Sequence, residues 1–319
     1  MSVVASWNVN GIRAVVQNND GVLLRLLNVV DVLCLQETKI DADALEKYER
    51  ERPLGFSLRR LADNFDSHWA HCETKKGYCG VATYVRRGLL RSVTIGFGFD
   101  VADEELVAGL VDNFASSGRV LVTDHASFVL FNLYFPNTNR GDEAIKLKML
   151  FQRSVQRRCE QLSAAGRRVI VIGDVNIVPQ KIDTTMPNKV DDADSHCYFA
   201  QERDWLSAVT SSGLLVDAFR AKHAEKVAFS FHNPSLGGSQ MRIDLALLNA
   251  AAVPLLDDVE HRDDKGSDHT PVVLRLNAVI RVDEKEQLLV KRPVTIQSFF
   301  KRTASEASTS TIEAKRSTR

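Results

Sequence analysis

The sequence predicts an α/β sandwich with sheets inside and helices outside. Three observations carry the prediction. Short β-branched apolar runs recur along residues 1–277 and end in polar residues. Amphipathic helical patterns stand between them. The composition, 44% hydrophobic and 26% charged over 319 residues, supplies a large core.

The apolar runs, in order, are "VVASWNVNG", "VVDVLCLQETK", "GVATYVRR", "SFVLFNLYFPN", "RRVIVIGDVN", "MRIDLALLN" and "TPVVLRL". Each is short enough for a strand and rich in Val, Ile, Leu and aromatics. "DALEKYERER" and "DEAIKLKMLFQRSVQRRCEQLSAAG" place apolar residues at i, i+3 and i+4, and the second stops at Ala-Gly. "ERDWLSAVTSSGLL" predicts a further helix ending at Gly213. Trp7 and Trp205 are expected in the core. No internal repeat is visible.

Several classes are disfavoured. The chain has no apolar run of membrane-spanning length, and its first residues lack a secretory pattern. Five scattered cysteines (Cys34, Cys72, Cys79, Cys159, Cys197) form no CxxC pair, so reduced thiols inside a cell are expected. Lys and Arg total 41, as do Asp and Glu. Zero net charge weighs slightly against nucleic-acid binding, but a carboxylate-rich metal site can balance a separate basic face.

The polar residues at the strand ends form a set. Asn8 and Asn10 close the first run, Gln36 and Glu37 the second, and Tyr134, Pro136 and Asn137 a later one. Asp174 and Asn176 follow "VIVIG", Asp244 interrupts "RIDLALL", and Asp268 with His269 precedes the last run. Turn chemistry alone does not need six such ends. If they converge, oxygen ligands suit Mg²⁺ or Mn²⁺. An imidazole with a carboxylate partner suits activation of water against a phosphodiester. Taken singly, an Asp after a strand is more often a cap and a lone His a core or surface residue.

"SWNVNGIRA", "LCLQETKI", "GYCGVATY", "YFPNTNRG", "VIGDVNIVPQKID", "QERDWL", "LLVDAFR", "MRIDLAL" and "GSDHTPVVL" occur in this order. Together they resemble the exonuclease III family of apurinic/apyrimidinic (AP) endonucleases, over about residues 2 to 277. The resemblance implies a four-layered α/β sandwich with two packed mixed sheets, of the DNase I-like type. It implies Glu37 as principal metal ligand, assisted by Asn8 or Asn10 and by Asp268. It places His269 on the scissile phosphate with Asp244 orienting it, Asp174 on the attacking water, and Asn176 and Tyr134 on the phosphate. His269 backed by Asp244 is the competing general base. Tyr78, Arg140 and Asn137 match DNA-contact or site-orienting positions, and Phe231 matches a wall of the abasic-sugar pocket. His232 and Met241 stand where many members have tryptophan. Asp217 is expected to be structural, and the pairs Lys75-Lys76 and Arg86-Arg87 are as readily solvated loop residues as DNA contacts.

Residues 278–319 are polar and Ser/Thr-rich, the composition of a disordered tail. Within them, Ile296, Phe299 and Phe300 would share one helical face. The segment 293–300 resembles a sliding-clamp (PCNA) interaction motif, with Pro293 where the leading Gln is usual. This tail makes the eukaryotic second type of AP endonuclease the nearest resemblance. No cysteine spacing matches the zinc segment such relatives often carry.

The expectation is therefore a catalytic domain at 1–277 and a clamp-binding tail. The activity expected is a Mg²⁺-dependent repair nuclease, nuclear and monomeric. It would cut 5′ to abasic sites in base excision repair and trim or unblock 3′ ends. The alternatives are a phosphatase of the same superfamily acting on a soluble or lipid phosphoester, and a non-catalytic clamp-bound adaptor.

Overall fold

Alternation along the strands decides which residues meet, because successive side chains point to opposite faces of a sheet. In the computed structural model, residues 1–18, 21–52, 55–99, 114–138, 141–191, 199–233 and 237–278 are described. They form two six-stranded sheets. The first runs in the order β13 (Leu256–His261), β14 (Val272–Leu276), β1 (Ser2–Asn8), β2 (Val32–Gln36), β4 (Val81–Arg86), β3 (Phe65–Ala70). The second runs β5 (Ser92–Ile95), β6 (Val120–Asp124), β7 (Val129–Tyr134), β8 (Val169–Asp174), β12 (Asp244–Leu248), β9 (Val216–Asp217). Each sheet has one parallel pair at its centre, β1/β2 and β7/β8, and antiparallel neighbours outside it. β10 (Phe231–Asn233) and β11 (Ser239–Met241) make a separate ribbon.

The sheets pack face to face through Val4, Val32, Cys34, Leu130, Ile170, Ile172, Ala246, Leu248 and Leu274. The opposite parity faces outward. Ala5, Trp7, Leu33 and Leu35 meet α1 (Ile12–Asn18), α2 (Val22–Leu27) and α3 (Ala42–Glu51). Phe131, Leu133, Val169, Val171, Leu245 and Leu247 meet α4 (Asp142–Ala164) and α5 (Ala200–Ser211). The layers are thus helix, sheet, sheet, helix, the DNase I-like sandwich. The short α6 (Ala218–Lys222) adds Phe219 to the layer between the sheets. Asp217 caps α6 by accepting from the Phe219 and Arg220 amides, and it pairs with buried Arg242, a structural role. Trp7 is buried and Trp205 partly so. Four of the cysteines are buried free thiols, while Cys197 lies outside the described residues. Among the described residues no helix is long and apolar enough to cross a membrane.

The same parity gathers the polar ends. Asn8 and Val4 are four residues apart on β1, Gln36 and Val32 on β2, Tyr134 and Leu130 on β7, Asp174 and Ile170 on β8, and Asp244 and Leu248 on β12. Each polar residue therefore continues the inward-facing row of its strand. One step below, Gln36 Nε2 crosses between the sheets to Asn132 Oδ1 at 2.8 Å. The apolar interior ends in a polar floor beneath a single edge.

One glycine fixes the height of that edge. Gly173 sits opposite Leu133 in the parallel pair, at φ 142°, and an added Cβ would stand 2.0 Å from the Leu133 carbonyl oxygen. Gly173→Ala is expected to destabilise the fold by about 3 kcal/mol. Thermal denaturation checks this; a Tm within about 2 °C of the parent contradicts it.

Candidate active site

His269 is buried at the joined edge of the sheets, and its Nδ1 donates to Asp244 Oδ2 at 2.7 Å. Its other nitrogen, Nε2, faces Asp174 Oδ2 at 3.9 Å. Burial alone would lower the imidazole pKa. The charge and hydrogen bond of Asp244, with the charges of Asp174 and Asp268, outweigh burial and raise it to about 10. Asp174 is pushed the other way from the usual carboxylate range, to about 7. Burial is the main cause and the Asp244 charge adds to it, while His269 opposes. The pair is an imidazolium beside a carboxyl poised near neutrality.

The backbone around this pair is tied down from several elements. Trp7 Nε1 donates to the His269 carbonyl at 2.9 Å, and Ser267 Oγ to the Asn8 carbonyl at 2.8 Å. Ser230 Oγ accepts from the amides of Ile243 and Asp244. Asn176, at φ 52°, donates its amide to Asp174 Oδ1 at 2.9 Å and its side chain to the Phe135 carbonyl at 3.1 Å. The Phe231 ring lies 4.7 Å from the His269 ring, so Phe231 forms the adjoining wall.

Glu37 lies next door, and Asn8 joins the two halves. Asn8 Nδ2 donates to Glu37 Oε1 at 2.9 Å and to Asp174 Oδ2 at 3.0 Å. Burial would raise the Glu37 pKa, but hydrogen bonds from Asn8, Lys39 and Tyr134 and the Lys39 charge bring it below the ordinary glutamate value. Lys39 Nζ sits 2.8 Å from Glu37 Oε2 and also bonds Asn10 Oδ1. Asn10 Nδ2 donates in turn to Asp268 Oδ1 at 3.0 Å. Glu37 and Asn10 thus already hold one cation, the Lys39 ammonium, and Asp268 adjoins them through the Asn10 side chain. Hard oxygens in this arrangement fit a divalent cation. The backbone adds a second sign: Asn10 (φ 45°) and Glu37 (φ 50°) both hold left-handed conformations. Such strain, of order 1–3 kcal/mol per residue, concentrates at functional sites. The tightest carboxylate–imidazole cluster among the described residues is Asp174, Asp244 and His269, whose facing atoms lie within 4.8 Å.

Asp268 and His269 turn to different halves of the site, Asp268 to Asn10 and His269 to Asp244. β14 begins only at Val272. Gly266 at φ 143° and the bend at 266–268 turn Asp268 to Asn10, while His269 enters an isolated bridge with Phe231. One short segment serves both halves.

Tyr134 stands between Glu37 and a residue that the sequence left unmarked. Arg119, 5% exposed, lies 4.7 Å from the Tyr134 ring centroid and donates to the Tyr134 carbonyl and the Tyr78 hydroxyl. Lys75 Nζ covers the Tyr78 ring at 4.7 Å. Arg86 and Arg87 are engaged with Asp31 and Asp66, and Lys76 with Asp43. His232 pairs with Gln240, and Met241 is buried against Val178, Val190 and Ile243. Asn137 is half-buried just beyond Phe135. Arg140, Ile296, Phe299 and Phe300 lie outside the described residues. Lys39, Arg119 and Ser230 are the site residues that the sequence reading missed. Lys39 follows Glu37 by two positions in "QETK", the one local signal available.

A two-sheet sandwich with a charged carboxylate–imidazole cluster at its joined edge is the frame of a hydrolytic site. The chain belongs to the Endonuclease/Exonuclease/phosphatase family, whose model matches residues 5–269. It is 29% identical to the DNA-(apurinic or apyrimidinic site) endonuclease 2 of Mus musculus, over 86% of this chain and 60% of that protein. It is equally 29% identical to the DNA repair nuclease APEX1 of Danio rerio, over 86% of this chain and 81% of that one. The catalytic domain of Xenopus laevis APE2 superposes with a TM-score of 0.72 at 24% identity, covering 88% of this chain and 94% of that one, a likeness of fold. The chain spans 60% of the length of the mouse relative.

Proposed function

We propose that the chain is a divalent-metal-dependent DNA-repair nuclease. It hydrolyses the phosphodiester 5′ to an abasic site, leaving a 3′-hydroxyl, and removes nucleotides or blocking groups from 3′ ends. The observation that carries this reading is the bonded chain Glu37–Asn8–Asp174, which couples a cation-holding oxygen set to a buried hydrolytic cluster. Relatives named as AP endonuclease and DNA repair nuclease support the substrate class.

The charges divide the roles. An imidazolium with a pKa of about 10 has no free lone pair at neutral pH, so His269 serves as a donor to a phosphate oxygen, not as the base. Asp244 holds its Nδ1 and leaves Nε2 for the phosphate. Asp174, at about 7, has the basicity suited to taking a proton from water at neutral pH. Asn176 and Tyr134 donate to the phosphate oxygens as charge builds on them. Glu37, Asn10 and Asp268 would hold Mg²⁺ or Mn²⁺, with Asn8 orienting Glu37. A metal there supplies charge neutralisation for the phosphate and the departing oxygen. Phe231 walls the sugar, while Tyr78, Asn137 and Arg140 contact the DNA backbone.

The test is incision of a duplex carrying one abasic site, with Mg²⁺ and with EDTA, beside an inositol polyphosphate and a phospholipid headgroup ester. Metal-dependent DNA incision is expected. Phosphate release from the soluble or lipid esters without DNA cleavage overturns the reading in favour of a phosphatase.

In this reading residues 1–277 form the catalytic domain, residues 278–319 a tail with a clamp-binding segment at 293–300, and the proposed setting is the nucleus, with the protein acting on DNA as a monomer. Phe299→Ala combined with Phe300→Ala should abolish capture by a sliding clamp in a pull-down and leave cleavage of short duplexes unchanged. Undiminished capture refutes the assignment of Ile296, Phe299 and Phe300 as its anchors.

A further inference from the structure

We infer that Lys148 and Glu202 are positioning residues of the hydrolytic site: their ion pair fixes the Asn176 peptide and, through it, the Asp174 carboxylate. This rests on the nuclease reading of that site. Lys148 lies on α4 and Glu202 on α5, in the "QER" segment whose purpose the site does not otherwise explain. Both side chains are fully buried, with Lys148 Nζ 3.0 Å from Glu202 Oε2.

Packing does not account for the pair. The interface between these helices and the sheet is lined by Phe151, Val155, Leu206 and Val209. Taking two charges from water into such surroundings costs several kcal/mol per ion, and apolar residues of similar volume are often at least as stable. The pair does something that apolar residues cannot. Lys148 Nζ donates to the Asn176 carbonyl at 2.7 Å. Among the described residues the Glu202 carboxylate oxygens have no partner beyond Lys148, so Glu202 acts as its counter-charge.

The grip matters because of where Asn176 stands. Its backbone is left-handed, a conformation that asparagine tolerates better than most residues and that sets the direction of its amide and carbonyl. Its amide donates to Asp174 Oδ1 and its side chain to the Phe135 carbonyl. With the carbonyl held from below, amide and carbonyl of one residue are both pinned. The two groups lie on successive peptide planes joined at the Asn176 Cα, so the Lys148 grip on the second plane limits rotation about that Cα and steadies the first plane, which donates to Asp174. Distortion of a reacting group by about 1 Å can cost about 10²-fold in rate.

The experiment uses the full chain, the double variant Lys148→Met/Glu202→Leu, and Glu202→Gln. It reads kcat and KM on abasic duplex, thermal stability, and hydrogen exchange of the Asn176 amide against the core amide of Val171. Glu202→Gln leaves Lys148 uncompensated and should lose both stability and kcat. The double variant should melt at or near the wild-type temperature. Its kcat should fall about 10²-fold with KM little changed, and its Asn176 amide should exchange faster while Val171 does not change. A double variant that does not fold, or one with wild-type kcat or wild-type Asn176 exchange, overturns the inference. If the wild-type chain fails to cut abasic DNA, the nuclease reading falls, and the exchange arm still decides the role of the pair.

Discussion

Asp174→Asn lowers abasic-site incision by about 10⁴-fold, and the same change stabilises the metal-free protein at alkaline pH. The two effects share one cause. Burial and the Asp244 charge raise the Asp174 carboxyl to about 7. Between the ordinary unfolded carboxylate value and about 7, the folded protein therefore binds more protons at this group than the unfolded chain does. Its contribution to stability falls as pH rises through that window. Asparagine does not titrate, so the advantage of the variant grows across the window and is complete above about pH 7. His269 provides the matched control. Its folded pKa of about 10 lies above the unfolded imidazole value, so the stability it contributes is full below that value and is lost as pH rises through about 10. His269→Gln is accordingly most destabilising in mild acid and least so above pH 10. Melting curves in EDTA from pH 5 to 10 check both signs. An Asp174→Asn protein that is less stable than wild type at pH 8 contradicts the account.

Glu37→Ala loses about 10³-fold in incision and its response to Mg²⁺ together. Among the described residues, Glu37 is the one carboxylate in contact with both the Lys39 ammonium and the Asn8 amide. Removing it leaves Asn10 and Asp268 as a set too weakly charged to compete for a hydrated divalent ion. Titration calorimetry with Mg²⁺ and with Mn²⁺ checks the binding directly. Heat of binding equal to that of the wild type would show that the ion sits elsewhere, at the Asp174, Asp244 and His269 cluster.

The central strands were legible in the sequence because they are buried on both faces. β1, β2, β7, β8 and β12 read as continuous apolar runs, and each carries its site residue at the polar end. The strands not named from sequence are mostly edges. β3, β5, β9 and β13 flank the two sheets and alternate weakly or carry charge, as in "FDSHWA" and "LDDVEH". The site divides the same way. Asp244 was recognisable because a charge interrupts an apolar strand, and its bond to His269 is present at 2.7 Å. Arg119 and Ser230 were not, because nothing local marks an arginine that will be buried under two tyrosines. The grip of Lys148 on Asn176 joins residues 28 apart on a helix and a loop, a relation that periodicity does not encode.

The most direct test of the central claim, water attack on the phosphodiester 5′ to an abasic site, is incision in ¹⁸O-labelled water followed by mass analysis of both ends. One ¹⁸O is expected in the 5′-phosphate of the abasic fragment, with an unlabelled 3′-hydroxyl on the other. An unlabelled 5′-phosphate with an unsaturated sugar at the 3′ end, the signature of elimination, would contradict it.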